Sequence, residues 1–223
     1  MSGLALLHTA ASHVPKFGTL ASEFAPGVPL THAVHEQLLE EAKVRGGVDE
    51  VLAAELKALL ETLAREAEVI LCTCSTLGAA AERFDGQFGA RVVRVDRPLA
   101  RAAVMQGERI AVVVALQSTL EPTQKLLEEE AFRAGKDVKL ETVFVPKAWE
   151  YFERGERERY GQVLAEAADE AAARADVIVL AQASMAGAER YAKTDKPVLS
   201  SPVLGVKAAL EVLTSLVPHQ RCQ

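Results

Sequence analysis

The sequence lacks several features that would place it in common functional classes. Its 223 residues carry a formal net charge of -6 without a cluster of basic residues, which argues against a nucleic-acid partner. No apolar run approaches the roughly 18 residues that a membrane-spanning helix needs, and the start of the chain lacks the pattern of a secretory leader. We therefore expect a cytoplasmic protein that does not bind membranes.

Motifs for common nucleotide and hydrolase chemistries are also missing. No Gly-X-Gly-X-X-Gly or Gly-Lys-Ser/Thr segment follows a predicted strand, which argues against dinucleotide and nucleoside triphosphate enzymes. A Gly-X-Ser-X-Gly segment is absent too, so a serine hydrolase of the usual kind is disfavoured. The sequence offers no support for nucleotide binding or for a serine nucleophile.

Cysteine is scarce, with 3 residues in the whole chain. Three thiols cannot all pair, and Cys72 and Cys74 lie too close along one predicted strand for an ordinary disulfide. Reduced thiols are the simpler interpretation. A metal site built from these two cysteines with His8, His32 and His35 is weakly supported, because Cys-X-Cys is not the paired spacing of structural zinc. We predict no bound metal.

The sequence does contain an alternation of short apolar segments and longer helical patterns. The short segments are mostly apolar on both faces, which is typical of parallel strands covered by helices. The predicted strands are Leu4 to His8, Val69 to Thr73, Arg91 to Val95, Ile110 to Ala115, Val138 to Val145, Val177 to Ala181 and Pro197 to Ser200. The predicted helices include Val51 to Glu66, Pro122 to Ala134, Tyr160 to Ala173 and Val203 to Leu216. The predicted fold class is α/β.

The two halves of the chain resemble each other. The segment Glu68 to Leu77 aligns without a gap on Asp176 to Met185, and the two agree in residue class at most positions. An internal duplication explains the match, and chance is the alternative because apolar strands followed by Ala-rich helices look alike. We predict two pseudo-symmetric lobes, each a parallel sheet flanked by helices. One lobe comprises residues 1–95 plus 203–223, and the other comprises residues 97–200.

Polar segments follow matching strands in the two halves. Ligands of parallel α/β sheets bind beyond the carboxyl ends of the strands, where helix N-termini offer backbone N–H groups. The segment Cys74 to Thr76 occupies such a place in the first half, as Gln182 to Ser184 does in the second. We expect both segments to face one small-molecule cleft between the lobes. A helix N-terminus favours a thiolate, which makes Cys74 a candidate base or nucleophile, and a buried core cysteine is the alternative.

This pattern resembles the aspartate/glutamate racemase superfamily, which includes amino-acid and hydantoin racemases, maleate isomerase and arylmalonate decarboxylase. The Cys-Ser-Thr segment that begins at Cys74 stands where that family commonly has Cys-Asn-Thr. The segment Ile110 to Thr119 is similar to the strand and hydroxyl-bearing loop that holds the substrate carboxylate in the family. The resemblance implies a two-lobed α/β enzyme that acts on a small carboxylate without a cofactor, and it favours a homodimer.

One position departs from the family pattern. Family racemases place a second cysteine where this sequence has Gln182. Stereoinversion needs one group to remove a proton and another to return one to the opposite face, and an amide cannot titrate. A single thiol can still protonate the enediolate left by decarboxylation, or add to a double bond and allow isomerisation. Racemisation would need an unusual partner such as His8, and a carboxylate-binding protein without turnover is the alternative.

His8 ends the first predicted strand. Some family racemases have an acidic residue there, so the resemblance makes His8 a candidate general base or orienting group. A neutral histidine poised near physiological pH suits that task, and a hydrogen-bonded structural histidine is the alternative. The predicted catalytic residues are Cys74 and His8. The predicted substrate-binding residues are Ser75, Thr76, Gln117, Ser118, Thr119, Gln182, Ala183 and Ser184. Their polar groups could form an oxyanion or carboxylate site, and helix N-capping is the alternative for Thr119 and Ser184.

Overall fold

The structure, a computed structural model, describes residues 3–216 of the chain. These residues form two compact units, one of residues 3–94 with 205–216 and one of residues 95–204. Each unit contains a four-stranded parallel sheet flanked by helices, so the predicted α/β fold class is confirmed. Within residues 3–216, no helix has both the length and the apolar character needed to cross a bilayer.

The first unit is built around the sheet β2-β1-β3-β4. Its elements are β1 (Leu4–His8), α1 (His13–Phe24), β2 (Leu30–Val34), α2 (Glu36–Arg45), α3 (Glu50–Leu63), β3 (Val69–Cys72), α4 (Ser75–Glu82) and β4 (Arg91–Arg94). Every residue of the two central strands, β1 and β3, is buried. Their sequences are nearly continuous apolar runs because helices cover both faces of a parallel sheet.

The second unit repeats this arrangement with the sheet β6-β5-β7-β8. Its elements are α5 (Arg97–Gln106), β5 (Arg109–Val114), α6 (Gln117–Ala134), β6 (Lys139–Phe144), α7 (Pro146–Glu153), α8 (Arg157–Ala172), β7 (Val177–Leu180), 3₁₀ turns at Ala183–Met185 and Ala188–Tyr191, and β8 (Val198–Ser200). The helix α9 (Ser201–Leu216) follows and continues into the first unit. Successive residues of β5 alternate between two apolar clusters, with Val113 in one and Val112 in the other.

Each unit has an equivalent hydrogen bond at the amino ends of its central strands. In the first unit, the N–H of Gly3 donates to the Glu68 carboxylate at 2.6 Å. In the second, the N–H of Arg109 donates to the Asp176 carboxylate at 2.9 Å. Glu68 and Asp176 are the first residues of the two segments that align in the sequence. The repeat therefore extends from the order of the elements to an individual contact.

Two elements differ from the sequence prediction. The strand β2 was not predicted, because it is a half-buried edge strand that includes Thr31 and His32 and therefore lacks a continuous apolar run. The helix α6 begins at Gln117 and not at Pro122, so the predicted hydroxyl-bearing loop is the first turn of a helix. Proline is favoured near helix starts, but here Pro122 lies inside the helix and does not mark its beginning.

Candidate functional site

Cys74 lies at the carboxyl end of β3, immediately before α4. It is the N-cap residue of that helix, and its backbone is extended, with φ -106° and ψ 115°. Its side chain is buried, as are those of Ser75 and Thr76 in the first helical turn. Backbone N–H groups and the helix dipole favour negative charge at such a position. The geometry is suited to a thiol that acts as its thiolate.

Cys72 has a different environment from Cys74. It belongs to β3 itself and is fully buried. Its thiol donates a long hydrogen bond, 3.7 Å, to the carbonyl oxygen of Cys74. Among the described residues, neither thiol takes part in a disulfide. Cys72 therefore packs in the core and supports the turn that carries Cys74.

His8 is completely buried at the end of β1. Its Nδ1 lies 2.9 Å from the hydroxyl of Thr73, and its Nε2 lies 2.9 Å from Nδ1 of His32. The pKa of His8 is lowered to about 3, mainly by burial and also by the nearby His13 and His32. His8 is therefore neutral at physiological pH. The expectation of a histidine poised near that pH is wrong, because the sequence does not reveal how deeply the ring is buried.

The hydroxyl of Thr73 favours the Nδ1–H tautomer of His8. It donates its single hydrogen to the carbonyl oxygen of Leu7 at 3.0 Å, so it can only accept from Nδ1–H of His8. Nε2 of His8 then carries no hydrogen and accepts from Nδ1–H of His32. A chain of donors runs from His32 through His8 to Thr73, the residue before Cys74. We call these three residues the histidine chain.

Gln182 lies at the carboxyl end of β7 and is buried. Its Oε1 accepts hydrogen bonds from the backbone N–H groups of Ala115 at 2.8 Å and Leu116 at 3.2 Å. These two residues connect β5 to α6, so the amide holds two strand ends of one sheet together. Since Oε1 accepts both bonds, the orientation of the amide is fixed and Nε2 is left as a donor without an acceptor within residues 3–216.

Ser184 is held by a residue that the sequence analysis did not identify. Its hydroxyl lies 2.9 Å from the hydroxyl of Tyr160 on α8. Tyr160 is buried, and burial raises the pKa of its hydroxyl above the usual value. The tyrosine is therefore neutral and can donate to Ser184 or accept from it. Its aromatic character predicts only core packing, and nothing in the sequence pairs it with a residue 24 positions away.

The other predicted binding residues of the second unit lie at the same edge of the sheet as Gln182. Gln117 is the first residue of α6 and is exposed, whereas Ser118 and Thr119 in the same turn are buried. Ala183 opens the first 3₁₀ turn and is buried. Each predicted site residue thus lies at the carboxyl end of a strand in its own unit or just after it.

His32 is the residue whose environment the sequence could not predict. It lies on β2, which pairs in parallel with β1, and this pairing brings its ring beside that of His8. Burial lowers the pKa of His32. Within the described part of the chain, no three His, Cys, Asp or Glu side chains are grouped to hold a metal ion. In the sequence, nothing about His32 except its residue type indicated a role, because the segment Leu30 to Val34 was not recognised as a strand.

The fold and its strand-end residues define a class of protein: an α/β chain of two units with the same strand order and with candidate ligand-binding segments after equivalent strands of their parallel sheets. A family model described as Asp/Glu/Hydantoin racemase matches residues 8–210. The chain therefore belongs to the Asp/Glu/hydantoin racemase family, in agreement with the resemblance of its sequence motifs. No curated protein matches the sequence.

Solved structures share the fold at low sequence identity. A glutamate racemase from Francisella tularensis, in complex with D-glutamate, is 13% identical with a TM-score of 0.68, over 96% of this chain and 81% of that one. An allantoin racemase from Klebsiella pneumoniae is 19% identical with a TM-score of 0.64, over 96% and 89%. A mutant arylmalonate decarboxylase is 17% identical with a TM-score of 0.62, over 96% and 94%.

Proposed function

We propose that the protein is a cofactor-independent, racemase-like enzyme that acts at the carbon next to a carboxylate, with Cys74 as its acid/base or nucleophile. The observation that carries the proposal is the position of Cys74, a buried thiol that caps α4 at the end of a central strand. Membership of the racemase family supports the class of reaction. A thiol can move a proton to or from carbon without help from a cofactor.

One thiol fits a reaction in which a proton is transferred to or from only one face of the substrate carbon. Gln182 cannot titrate, and its Oε1 is already bound to two backbone N–H groups. In a decarboxylation, the bond to one carboxylate carbon breaks, carbon dioxide leaves, and the electron pair forms an enediolate. Cys74 then donates its proton to carbon, and the thiolate regains a proton from water. Isomerisation through a thiol adduct also needs only one cysteine.

The proposed carboxylate contacts are residues that follow strand ends. They are Ser75, Thr76, Gln117, Ser118, Thr119, Gln182, Ala183 and Ser184. The orientation of Gln182 supports this role, because its Nε2 hydrogens can only bind an acceptor such as a carboxylate or carbonyl oxygen. The D-glutamate complex of a protein with the same fold supports a small carboxylate as the substrate class.

His8 has a supporting role in this proposal. Both of its ring nitrogens are engaged by Thr73 and His32, and with a pKa of about 3 it is a poor general base at neutral pH. We therefore propose that His8 orients the strand end that carries Cys74. Racemisation with His8 as the second base is disfavoured by the same observations.

The proposal is tested by deuterium exchange at the α-carbon of small carboxylates in deuterated water. The panel includes malonates and free amino acids, and decarboxylation is followed in parallel. We expect exchange or decarboxylation with the native protein and none with Cys74→Ala. Cys72→Ala is the matched control, because it removes the neighbouring thiol and leaves the proposed one. Activity that survives in Cys74→Ala would refute the proposal.

The second candidate function is a carboxylate-binding protein without turnover, and Gln182 in place of a titratable residue is the observation that favours it. Iodoacetamide separates the two candidates. Rapid alkylation of Cys74 near neutral pH is expected for an enzyme. Slow alkylation, together with carboxylate binding by calorimetry and no exchange on any member of the panel, would establish the binding protein.

We also propose that the protein is cytoplasmic and forms a homodimer. Two cysteines that are not bridged support a reducing compartment, and the resemblance to the family supports the dimer. Light scattering of the purified full chain at micromolar concentration measures its mass directly. A mass of one chain would refute the dimer without affecting the proposed reaction.

A further inference from the structure

The histidine chain is the polar cluster that the proposed reaction does not yet use. The rings of His8 and His32 are nearly parallel, with an interplanar angle of 15° and centroids 5.2 Å apart. Their facing nitrogens lie 2.9 Å apart. Two neutral histidines joined by a hydrogen bond need defined tautomers, because one nitrogen must donate and the other must accept.

The chain ends next to the proposed catalytic residue. Thr73 is fully buried, and both its backbone N–H and its hydroxyl donate to the carbonyl oxygen of Leu7, at 3.0 Å each. Nδ1–H of His8 donates to the same hydroxyl. The residue after Thr73 is Cys74, so the direction of the thiol depends on a strand end that the histidine chain holds.

His32 is also held from the side opposite His8. Gly18 on α1 lies so close that a Cβ atom there would be 3.4 Å from Nε2 of His32. The ring of His32 therefore lies close to both β1 and α1. His32 is only half-buried, yet its Nδ1–H is aimed at a fully buried acceptor, Nε2 of His8. A half-exposed side chain that fixes a buried one is suited to control the geometry of the site.

We propose that His32 is a positioning residue for Cys74. It acts through His8, whose Nδ1–H tautomer it stabilises by donating to Nε2, and through Thr73, whose hydroxyl accepts from that Nδ1–H. The inference rests on the proposed function of Cys74. Catalytic groups must be held within about 0.5 Å of their productive positions, and residues that pack or hydrogen-bond behind them supply that precision. Loss of the donor at His32 frees His8 to change tautomer and weakens the hold on Thr73.

The test compares three variants of the full chain. His32→Asn keeps an N–H donor near the position of Nδ1, whereas His32→Leu removes the donor at similar volume. His35→Leu is the matched control: His35 lies three residues further on, and its backbone N–H donates to the carbonyl oxygen of His8, a bond that the substitution keeps. Thermal unfolding of each variant establishes that it is folded before other measurements are compared.

The first readout is independent of activity. Nitrogen NMR of protein with ¹⁵N-labelled histidine reports which ring nitrogen of His8 carries the hydrogen. We expect Nδ1–H in the native protein, in His32→Asn and in His35→Leu, and a mixture of tautomers in His32→Leu. Hydrogen on Nε2 of His8 in the native protein would overturn the proposal.

The second readout is the chemistry of Cys74. We expect His32→Leu to lower kcat and the rate of Cys74 alkylation at neutral pH about tenfold, with KM within about twofold of the native value, because positioning acts on the reacting group and not on binding. His32→Asn should recover most of both rates, and His35→Leu should match the native protein. Native rates in a folded His32→Leu variant, or equal losses in His32→Leu and His32→Asn, would overturn the proposal.

The two proposals fail in different ways. If Cys74→Ala keeps full activity, the proposed function fails, whereas the tautomer of His8 and the alkylation rate of Cys74 still test the role of His32. If Cys74→Ala is inactive and His32→Leu is fully active, the proposed function stands and the positioning role of His32 is refuted.

Discussion

The two units have the same strand order but differ in the hydrogen bonds that stabilise the strand ends with the candidate site residues. In the first unit, these bonds join Thr73, the residue before Cys74, to His8 and His8 to His32. In the second unit, the candidate residue Gln182 itself accepts the stabilising bonds through its Oε1. The same place in the fold therefore holds a titratable thiol in one unit and a structural amide in the other.

This difference bears on the direction of proton transfer. A pair of equivalent titratable residues can act on both faces of a carbon, whereas one thiol and one amide cannot. We expect any product with a new stereocentre to be formed as a single enantiomer, because Cys74 of the first unit is the proposed proton donor. The following predictions test this asymmetry, beginning with the largest effect.

Replacing Cys74 with serine should have the largest effect on activity. The serine hydroxyl occupies nearly the same space but is a far weaker acid than a thiol, so we expect kcat/KM to fall about 10³-fold or more. Steady-state kinetics on the best substrate of the carboxylate panel measure the change. The Cys72→Ser variant should retain activity if it is folded. Comparable losses in both variants would mean that Cys74 has no special role.

Replacing Gln182 with leucine should destabilise the second unit. The buried N–H groups of Ala115 and Leu116 would lose their acceptor, which costs about 1–3 kcal/mol for each buried polar group. Urea unfolding followed by circular dichroism measures the loss. Gln182→Glu keeps an acceptor oxygen and should stay closer to the native stability. A Gln182→Leu variant with the native free energy of unfolding would show that the amide does not stabilise the strand ends.

Mild acid should loosen the first unit before the second. His8 has a pKa of about 3 when folded and about 6.5 when unfolded, so the unfolded state binds more protons between these values. The contribution of His8 is constant above pH 6.5, and stability falls as pH drops below it, by up to about 1.4 kcal/mol per pH unit. The lowered pKa of His32 adds an effect of the same sign.

Amide hydrogen exchange at pH 7 and pH 5, read by mass spectrometry, locates this effect. Residues 95–204 contain no histidine, so protection should fall in the first unit and change little in the second. His8→Gln should flatten the pH dependence of stability between pH 6.5 and pH 5. An equal loss of protection in both units would contradict the prediction.

The smallest expected effect is that of Tyr160→Phe. The variant removes one hydrogen bond, to Ser184, and leaves the ring in the core, so we expect a loss of about 1 kcal/mol. Chemical denaturation measures it. Tyr151→Phe is the matched control, because the ring of Tyr151 contacts the Arg154 guanidinium and phenylalanine keeps that contact. Equal effects of the two variants would mean that the contact with Ser184 adds no stability.

The parts of the fold that could be predicted are those with a strong apolar pattern. The central strands β1, β3, β5 and β7 are buried on both faces, so their sequences differ clearly from those of the helices. The edge strands β4, β6 and β8 were also predicted, although each has exposed or half-buried residues. The edge strand β2 was not predicted, because Thr31 and His32 interrupt its short apolar pattern. Edge strands pack on less of the core, and so fewer of their residues need to be apolar.

The sequence predicted that the candidate residues lie at strand ends, but it did not predict their contacts. The gapless alignment of Glu68 to Leu77 with Asp176 to Met185 predicted that Cys74 and Gln182 are equivalent. It could not predict that Oε1 of Gln182 binds two backbone N–H groups, because these belong to a connection 66 and 67 residues away. The lowered pKa of His8 likewise depends on burial and on neighbours that only the folded chain brings together.

The carboxylates of Glu68 and Asp176, which occupy equivalent positions in the two units, bear on the evolutionary history of the chain. Each anchors the amino end of a central strand, at the edge of the sheet opposite to the candidate site. Selection on these two residues acts through folding, so we expect them to be retained when the substrate changes during evolution. If the two halves arose by duplication, these two positions should keep a record of common descent after the catalytic residues have been exchanged.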